Sequence, residues 1–552
     1  MKFKMCKKKW FGMAMAILVF RTAFAGGILT NTNQSIYFLR NPARDAAIGL
    51  DGVYSNPAGV AFLNDGWHLG FNWQYAHQTR SITSQSPLYT LGLKNNGKDT
   101  KTFEGVANAP FIPSLQAAYN KGKWSFQFNF SVPGGGGKCE FSDGLGSFET
   151  VVGAIANRLM YVSNALNSQI SSLGVGVPSV TGYDVDGYMK GKQYYFGVQL
   201  GTTYKLNEHL SVYGGLRLLY GSASYEARLN NIRVMNGNSG LSLPEYFEGV
   251  IKGVSDAKSV LSGLHAQVED GITQYVNGYM AAGMTREQAM QTPEVQALTQ
   301  KGQQLQAAGQ QLEGVGDEVV ASAETLAPYS NGVNLKSDQS GWGIAPVIGI
   351  DFKAGAFNLA AKYEFKTRMR MKNNSSLKEA TVIAATNKFV DGTEVPEDAP
   401  ALLSVGAQWS VTPDVRLNLG YHHFFDTDAH WYQHSEKLLD GGTNEYLAGA
   451  EWDITKKWQV SGGAQLTRYQ LTDDYMNDMS FVVNSWSFGV GVGYQVSDKV
   501  KLNAAYFQTN YSDYDKVTPE RTMAGMGLTM PEQKESFTRT NRVLGLGVEV
   551  NF

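Results

Sequence analysis

Arg542-Val543-Leu544-Gly545-Leu546-Gly547-Val548-Glu549-Val550-Asn551-Phe552 is the stretch that decides the fold. Leu544, Leu546, Val548, Val550 and Phe552 share one face of an extended chain, and Gly545, Gly547, Glu549 and Asn551 share the other. Side chains alternate across a strand with period two, so one face is apolar and the other small or polar. A half-buried soluble strand has the same pattern. In a membrane barrel the apolar face meets lipid and the small face lines a lumen.

The alternation recurs along the chain. Trp67, Leu69, Phe71, Trp73 and Tyr75 share a face, as do Trp124, Phe126, Phe128, Phe130 and Val132. Trp486, Phe488, Val490 and Val492 lie opposite Ser485, Ser487, Gly489 and Gly491. The pattern predicts 14 strands, from one near 66–80 to one near 537–552, with a continuous seventh strand over 356–371. Every second connection is tight, as at Asn120-Lys121-Gly122, Ala354-Gly355, Thr412-Pro413-Asp414 and Ser497-Asp498, and the others are long. An even strand number with short periplasmic turns and long outer loops is the pattern of a bacterial outer-membrane barrel. The fold class expected is therefore an all-β transmembrane barrel of antiparallel strands over 66–552, with both chain ends periplasmic and the long loops extracellular. The aromatic terminus Phe552 resembles the assembly signal of bacterial outer-membrane proteins.

Composition agrees. The chain has 61 Gly, 28 Tyr, 27 Phe and 10 Trp, against 17% charged residues, which suits a sheet facing lipid. After the first 25 residues no apolar run approaches the ~18 residues a membrane helix needs. Lipid admits only helices or closed barrels, so strands must do the crossing. Residues 1–25 read as a signal peptide: five lysines from Lys2 to Lys9, an apolar core from Trp10 to Phe20, and the cleavage site Ala23-Phe24-Ala25. Cleavage leaves 41 basic against 49 acidic side chains, a net charge of −8, which gives no reason to expect a nucleic-acid partner. Cys139 remains alone, so no disulfide framework forms.

Two insertions read as helical, near 146–172 and 243–332. Phe148, Val152, Ile155, Leu159, Val162, Leu166 and Ile170 recur at helical spacing, as do Val254, Ala257, Leu261, Leu264, Val268, Ile272 and Val276. Thr285-Arg286-Glu287-Gln288 is a capping box, and Thr292-Pro293-Glu294 starts another helix. These stripes either pack against one another as a lid or leave an apolar groove for a ligand.

Residues 26–65 do not alternate. Small residues, Asn-Pro turns and short apolar stretches suggest a compact plug, too small to bury a core of its own and dependent on a barrel around it. Asn56-Pro57-Ala58-Gly59, just before the first strand, resembles the N-terminal hatch of the FadL/TodX type of outer-membrane transporter. Trp124 to Gly137, and Ala399-Pro400-Ala401 onward to Tyr421, look similar too. That resemblance implies a 14-stranded barrel plugged by a hatch, a monomer, and passive transport of long-chain fatty acids or other hydrophobic compounds. It implies gating near Gly26 to Asn31 and at Asn56, Pro57 and Ala58. The family's kinked third strand, which opens the wall sideways, would map to Pro133, Gly134 and Gly135. An ordinary loop start accounts for those three residues equally well.

No catalytic motif emerges, and no cofactor is implied. Gly134-Gly135-Gly136-Gly137-Lys138-Cys139 lacks the first Gly and the Ser/Thr of a phosphate loop. His430 and His434 are four apart, but at a strand end and not on a helix, so no metal site is expected. Inside the lumen, alternation places Lys362, Glu364, Lys366, Arg368 and Arg370 on the inner face, with Arg217 and Arg416 also inward. Most lumen charges hold a barrel or its plug together. As ligand sites, Arg217, Lys362, Lys366, Arg368 and Arg416 are the candidates to meet a carboxylate. Two other functions fit the same barrel: a surface adhesion protein using its helical loop, and a polar-solute porin.

Overall fold

The computed structural model describes residues 30–326, 332–377, 388–479, 481–523 and 528–552. The expected signal peptide and Gly26 lie outside these residues. Fourteen antiparallel strands close into a barrel. In chain order they are β1 Gly66–Gln85, β2 Thr100–Lys121, β3 Trp124–Phe141, β4 Gly182–Lys205, β5 Leu210–Asn236, β6 Val333–Ala354 and β7 Phe357–Glu364. There follow β8 Leu402–Ser410, β9 Val415–Phe424, β10 Asn444–Asp453, β11 Trp458–Arg468, β12 Ser485–Ser497, β13 Val500–Tyr511 and β14 Gln533–Asn551. Closure comes from β14, which pairs with β13 on one side and with β1 on the other, in register from His68↔Asn551 to Gln85↔Lys534. Phe552 N donates to Trp67 O at 2.9 Å, which ties the last residue to the first strand.

The outer surface is what lipid selects. Trp67, Leu69, Phe71, Leu216, Ile348, Leu419 and Leu546 are all exposed on it. Aromatic pairs ring the short-turn end: Trp67 with Tyr119 at 4.9 Å, Trp124 with Tyr204 at 4.7 Å, and Trp458 with Tyr494 at 4.6 Å. Such girdles sit at the level of lipid headgroups. The tight turns need left-handed backbone, and Gly122 (φ 62°) and Gly355 (φ 59°) provide it. Among the described residues no helix is long and apolar enough to cross a membrane.

The seventh strand departs from expectation. Instead of running on to 371 it stops at Glu364 and resumes as Arg370–Leu377. From Ser340 to Val347, β6 advances seven residues while the chain opposite advances eight, from Glu364 to Lys372. One extra residue reverses which side chains face inward. Thr367, Met369 and Met371 are therefore buried, whereas Arg368 and Arg370 are exposed. The expected inward placement of Arg368 and Arg370 is thus corrected. Pro346 and Pro400 flank the break: Pro346 sits in the β5–β6 ladder opposite Leu216, and Pro400 lines a small cavity beside it.

The long helices occupy the long-loop end. Helix α1, Ile36–Arg40, belongs to the plug, and α2, Gly146–Ile170, starts inside the barrel mouth with Gly146 near Phe103. Helices α3 Leu243–Ala281 and α5 Pro293–Leu326 form a hairpin joined through the short α4 Arg286–Met290. Both expected helix starts are present, with the Thr285/Gln288 capping box complete. Val152, Ile155 and Leu159 of α2 pack with Phe247, Val250 and Val254 of α3 in one core, the lid packing of the two stripes.

Residues 30–63 fill the lumen at the short-turn end. Ile36, Leu39, Ala58 and Val60 are fully buried although the segment is short, because the barrel wall surrounds them. The wall makes room with glycine. A Cβ at Gly449 would overlap Asn41 Oδ1, and one at Gly489 would overlap Leu39 O. Gly449→Leu is accordingly expected to leave a folded, heat-modifiable barrel with its plug displaced. In planar bilayers it should show a steady ion conductance well above the wild type, and equal conductances would contradict this packing.

Candidate functional site

The lumen is layered, and β1 shows how sequence sets the layers. Its inward residues run His68, Gly70, Asn72, Gln74, Ala76, Gln78, Arg80 and Ile82. Polar and small residues come first, then a mixed stretch, then an apolar one.

The first layer anchors the hatch. Arg44 donates to Asp51 at 2.7 Å and to Glu451 of β10 at 2.7 Å, all three side chains being buried. His422 of β9 bridges Asp45 and Glu445, each at 2.8 Å. Arg40 donates to Ser461 and Gln459 at 2.9 Å and also to Asn503. Asn56 reaches Asp351 of β6 at 2.6 Å and accepts from Gly59 N at 3.2 Å. Pro57 O accepts from Gln127 and Thr203, and Ala58 O accepts from Ser211 at 2.7 Å. Charge-assisted bonds in a water-poor lumen are the strong kind. Burial would disfavour the charged Arg44, but its two carboxylates outweigh this and raise its pKa.

Of the cations expected to meet a ligand, most are already occupied. Arg217 pairs with Glu364 and Gln199, and Lys362 bonds Glu364 at 2.7 Å and Tyr54 O at 2.8 Å. Arg416 holds Asp453 at 2.8 Å and Glu451 at 3.3 Å. Lys366 donates to Asp428 O at 2.7 Å, outside the lumen layer. These residues brace the barrel and its hatch. The rings of His430 and His434 stack 4.7 Å apart, and His434 bonds Glu436.

The second layer is a cavity of about 210 Å³ above the hatch, and it abuts a defect in the wall. Pairing of β2 with β3 stops at Leu115↔Phe130 and resumes only at Val106↔Glu140. On its other side β3 takes six residues, Ser131 to Gly137, to pass four of β4, Gly197 to Gln193. Two extra residues make two bulges, and bulges bend a strand. Gly135 (φ 104°) and Gly137 (φ 70°) supply the bent backbone. Pro133, Gly134 and Gly135 therefore lie inside a kinked strand and do not start a loop. Pro110 and Pro113 stand on the β2 side; proline has no N–H to leave unpaired, so these residues lower the cost of the missing ladder. The hatch tip fits the kink: Asn31 N donates to Pro133 O at 2.9 Å, and Thr30 bridges Gly134. Ala107, Ala109 and Ile112 from β2 and Val132 and Gly134 from β3 line the cavity beside the hatch tip.

The third layer, toward the loops, is apolar and closed. Phe103, Phe141, Tyr225, Trp431 and Phe537 are buried there with Met189, Met369, Met371, Met476 and Met479. Methionine repacks easily, so such a layer can part around a ligand.

No protein-family model matches this chain, and no curated protein does. Among solved structures, a FadL homologue from Pseudomonas aeruginosa aligns over 96% of this chain and 100% of its own, with TM-score 0.57 and 12% identity. The toluene transporters TbuX of Ralstonia pickettii and TodX of P. putida align at TM-score 0.45, with 11% and 12% identity, over 94% and 91% of this chain and 98% and 94% of theirs. At such identities only the first likeness bears on the fold, and it bears on the fold alone. The chain shares the fold of that FadL homologue: a barrel of 14 strands around an N-terminal hatch.

Removing Arg44 would leave two buried carboxylates facing each other. Breaking one side of a buried ion pair costs about 3–5 kcal/mol. Arg44→Met is expected to lower unfolding stability by that order and to expose hatch residues 36–60 to hydrogen exchange, with exchange in the strands little changed.

Proposed function

We propose that this protein is a passive outer-membrane channel for hydrophobic molecules, with long-chain fatty acids as the leading class. The supporting observation is the wall gap between β2 and β3, contiguous with the cavity and stoppered by the hatch tip. An apolar solute faces a barrier in the polar outer face of the outer membrane. The aromatic and methionine layer offers it an apolar surface on the loop side. From there it passes into the cavity above the hatch. The cavity, at about 210 Å³, falls below the ~300 Å³ at which ligand pockets usually begin, so a long chain must displace something. The neighbour fixed without ion pairs is the hatch tip at Thr30 to Asn33, which backbone and amide bonds hold, whereas Arg44 and Asp45 are fixed by buried ion pairs. Its withdrawal from the Pro133 kink opens the wall sideways, and the solute leaves without crossing the hatch. No energy source is needed for movement down a gradient. In this reading the chain ends are periplasmic and the helical loops extracellular.

The test locks the tip to the kink. Thr30 and Gly134 are bridge partners, so Thr30→Cys with Gly134→Cys places two thiols at disulfide distance. Oxidised cells carrying the pair should take up a labelled long-chain fatty acid at least about 5-fold more slowly than reduced ones, and reductant should restore the rate. Uptake indifferent to the cross-link would refute lateral release past the tip.

The α3–α5 hairpin supports a second, compatible role in surface binding. At 1.5 Å per residue, α3 is ~60 Å long. Residues 243–326 carry 11 acidic against 4 basic side chains, nearly all of the net charge expected of the mature chain. Deleting the hairpin should spare fatty-acid uptake if it serves binding alone; loss of uptake would make it part of the capture surface.

A further inference from the structure

The seam between β1 and β14 carries a feature that the hatch and the wall gap do not use. Its inward pairs, read toward the loops, are Ala76/Val543, Gln78/Asn541, Arg80/Arg539 and Ile82/Phe537. Arg80 and Arg539 are thus directly opposite each other on the lumen face. Like charges in direct cross-strand register destabilise a sheet. Other lumen arginines are compensated: Arg44, Arg217 and Arg416 pair with carboxylates, and Arg40 meets three neutral oxygens.

These two are not. Among the described residues no carboxylate lies within 4.0 Å of either guanidinium. The Nε atoms of both are buried without a hydrogen-bond partner. What Arg539 does have is weak: Phe481 O at 3.5 Å, Gln78 Oε1 at 3.4 Å, and the face of Tyr511 at 5.1 Å. Good N–H···O bonds are ~2.7–3.2 Å. Leaving buried donors unmade is costly, and leaving two adjacent cations unpaired is more so.

The surroundings say what would complete the pair. Arg539 lines the cavity above the hatch, with Gln78, Asn541 and Tyr511 beside it. The acid on that lining, Glu445, already accepts from His422 at 2.8 Å and from Gln465 at 2.6 Å. One step toward the loops, Ile82 and Phe537 are fully buried in the aromatic and methionine layer. Cations therefore stand at the boundary of an apolar layer and a polar cavity.

We propose that Arg539, backed by Arg80, is the head-group site of this channel. It takes the carboxylate of an anionic amphiphile whose chain lies in the apolar layer above. This rests on the transport reading and narrows it: the site selects an acid over a neutral hydrocarbon. A planar guanidinium suits a carboxylate through two parallel bonds. The second arginine adds charge without needing contact.

The test uses purified full-length protein in detergent, a dansyl-labelled long-chain carboxylic acid, and the methyl ester of the same molecule. Wild type should bind the acid at least ~10-fold more tightly than the ester, the order expected of a charge-assisted bond. Arg539→Gln, and Arg80→Gln with Arg539→Gln, should lose that preference while the ester binds as before. Arg539→Lys should keep part of it. Because the pair is repulsive when empty, both glutamine variants should unfold no more easily than wild type. An acid preference that survives the double substitution, or ester bound as tightly as acid in wild type, overturns the head-group site and leaves hydrophobic transport standing. Marked destabilisation by Arg539→Gln would make the arginine a structural brace and overturn the site as well. Failure of wild type to bind either probe would overturn the transport reading, and the site with it.

Discussion

Lipid offers no partner to a backbone N–H or C=O, and the whole structure is arranged around that fact. It forces the strands into a closed ladder, which β14 completes by pairing with β1. It also makes any interruption of the ladder expensive. The interruptions present occur where proline removes donors and where other chain segments supply partners. Pro110, Pro113 and Pro133 border the gap between β2 and β3, and Asn31 N satisfies Pro133 O from inside. Pro346 borders the smaller break beside β7, where Phe365 N reaches its carbonyl at 3.1 Å. A wall opening is thus made tolerable by the same residues that mark it.

A second constraint follows from closure. The hatch has too few residues for its own core, so its order is borrowed from the wall. Glycines at 449 and 489 give it space, and Arg44, Asp45 and Asn56 give it bonds to β6, β9 and β10. The bonding is uneven. The middle of the hatch is fixed by buried ions, whereas the tip at Thr30 to Asn33 is held by backbone and amide contacts. That contrast is the physical basis for a moving tip on a stationary plug.

Much of this was readable beforehand, and the reasons are local. Alternation over ten residues or more identified the strands, and short turns set their pairing, because period two and tight turns are properties of neighbouring residues. The helical stripes and the Thr285/Gln288 box were legible for the same reason. Asn56-Pro57-Ala58 pointed to the hatch through a family resemblance, whereas Pro133-Gly134-Gly135 fitted a kink and an ordinary loop start equally well, because glycine permits either backbone path. Faces beyond an irregularity were not legible. One extra residue opposite β6 turned Arg368 outward and Met369 inward, and no local pattern announces a bulge. Nor could the sequence tell a braced cation from an unbraced one. Arg217 and Lys362 share Glu364, but Arg80 and Arg539 face each other only because the first strand meets the last. That juxtaposition belongs to the pairing of the first strand with the last, and barrel closure alone reveals it.

The most direct measurement of sideways passage is photo-crosslinking with a diazirine-bearing long-chain fatty acid, followed by mapping of the adducts by mass spectrometry. Passage through the wall gap predicts adducts on Ala107 to Ile112, on Val132 to Gly137 and on the hatch tip at Thr30 to Asn33. Adducts confined to the short-turn face of the hatch, around Phe62 and Leu63, with none at the gap, would contradict it and route the molecule straight through the plug.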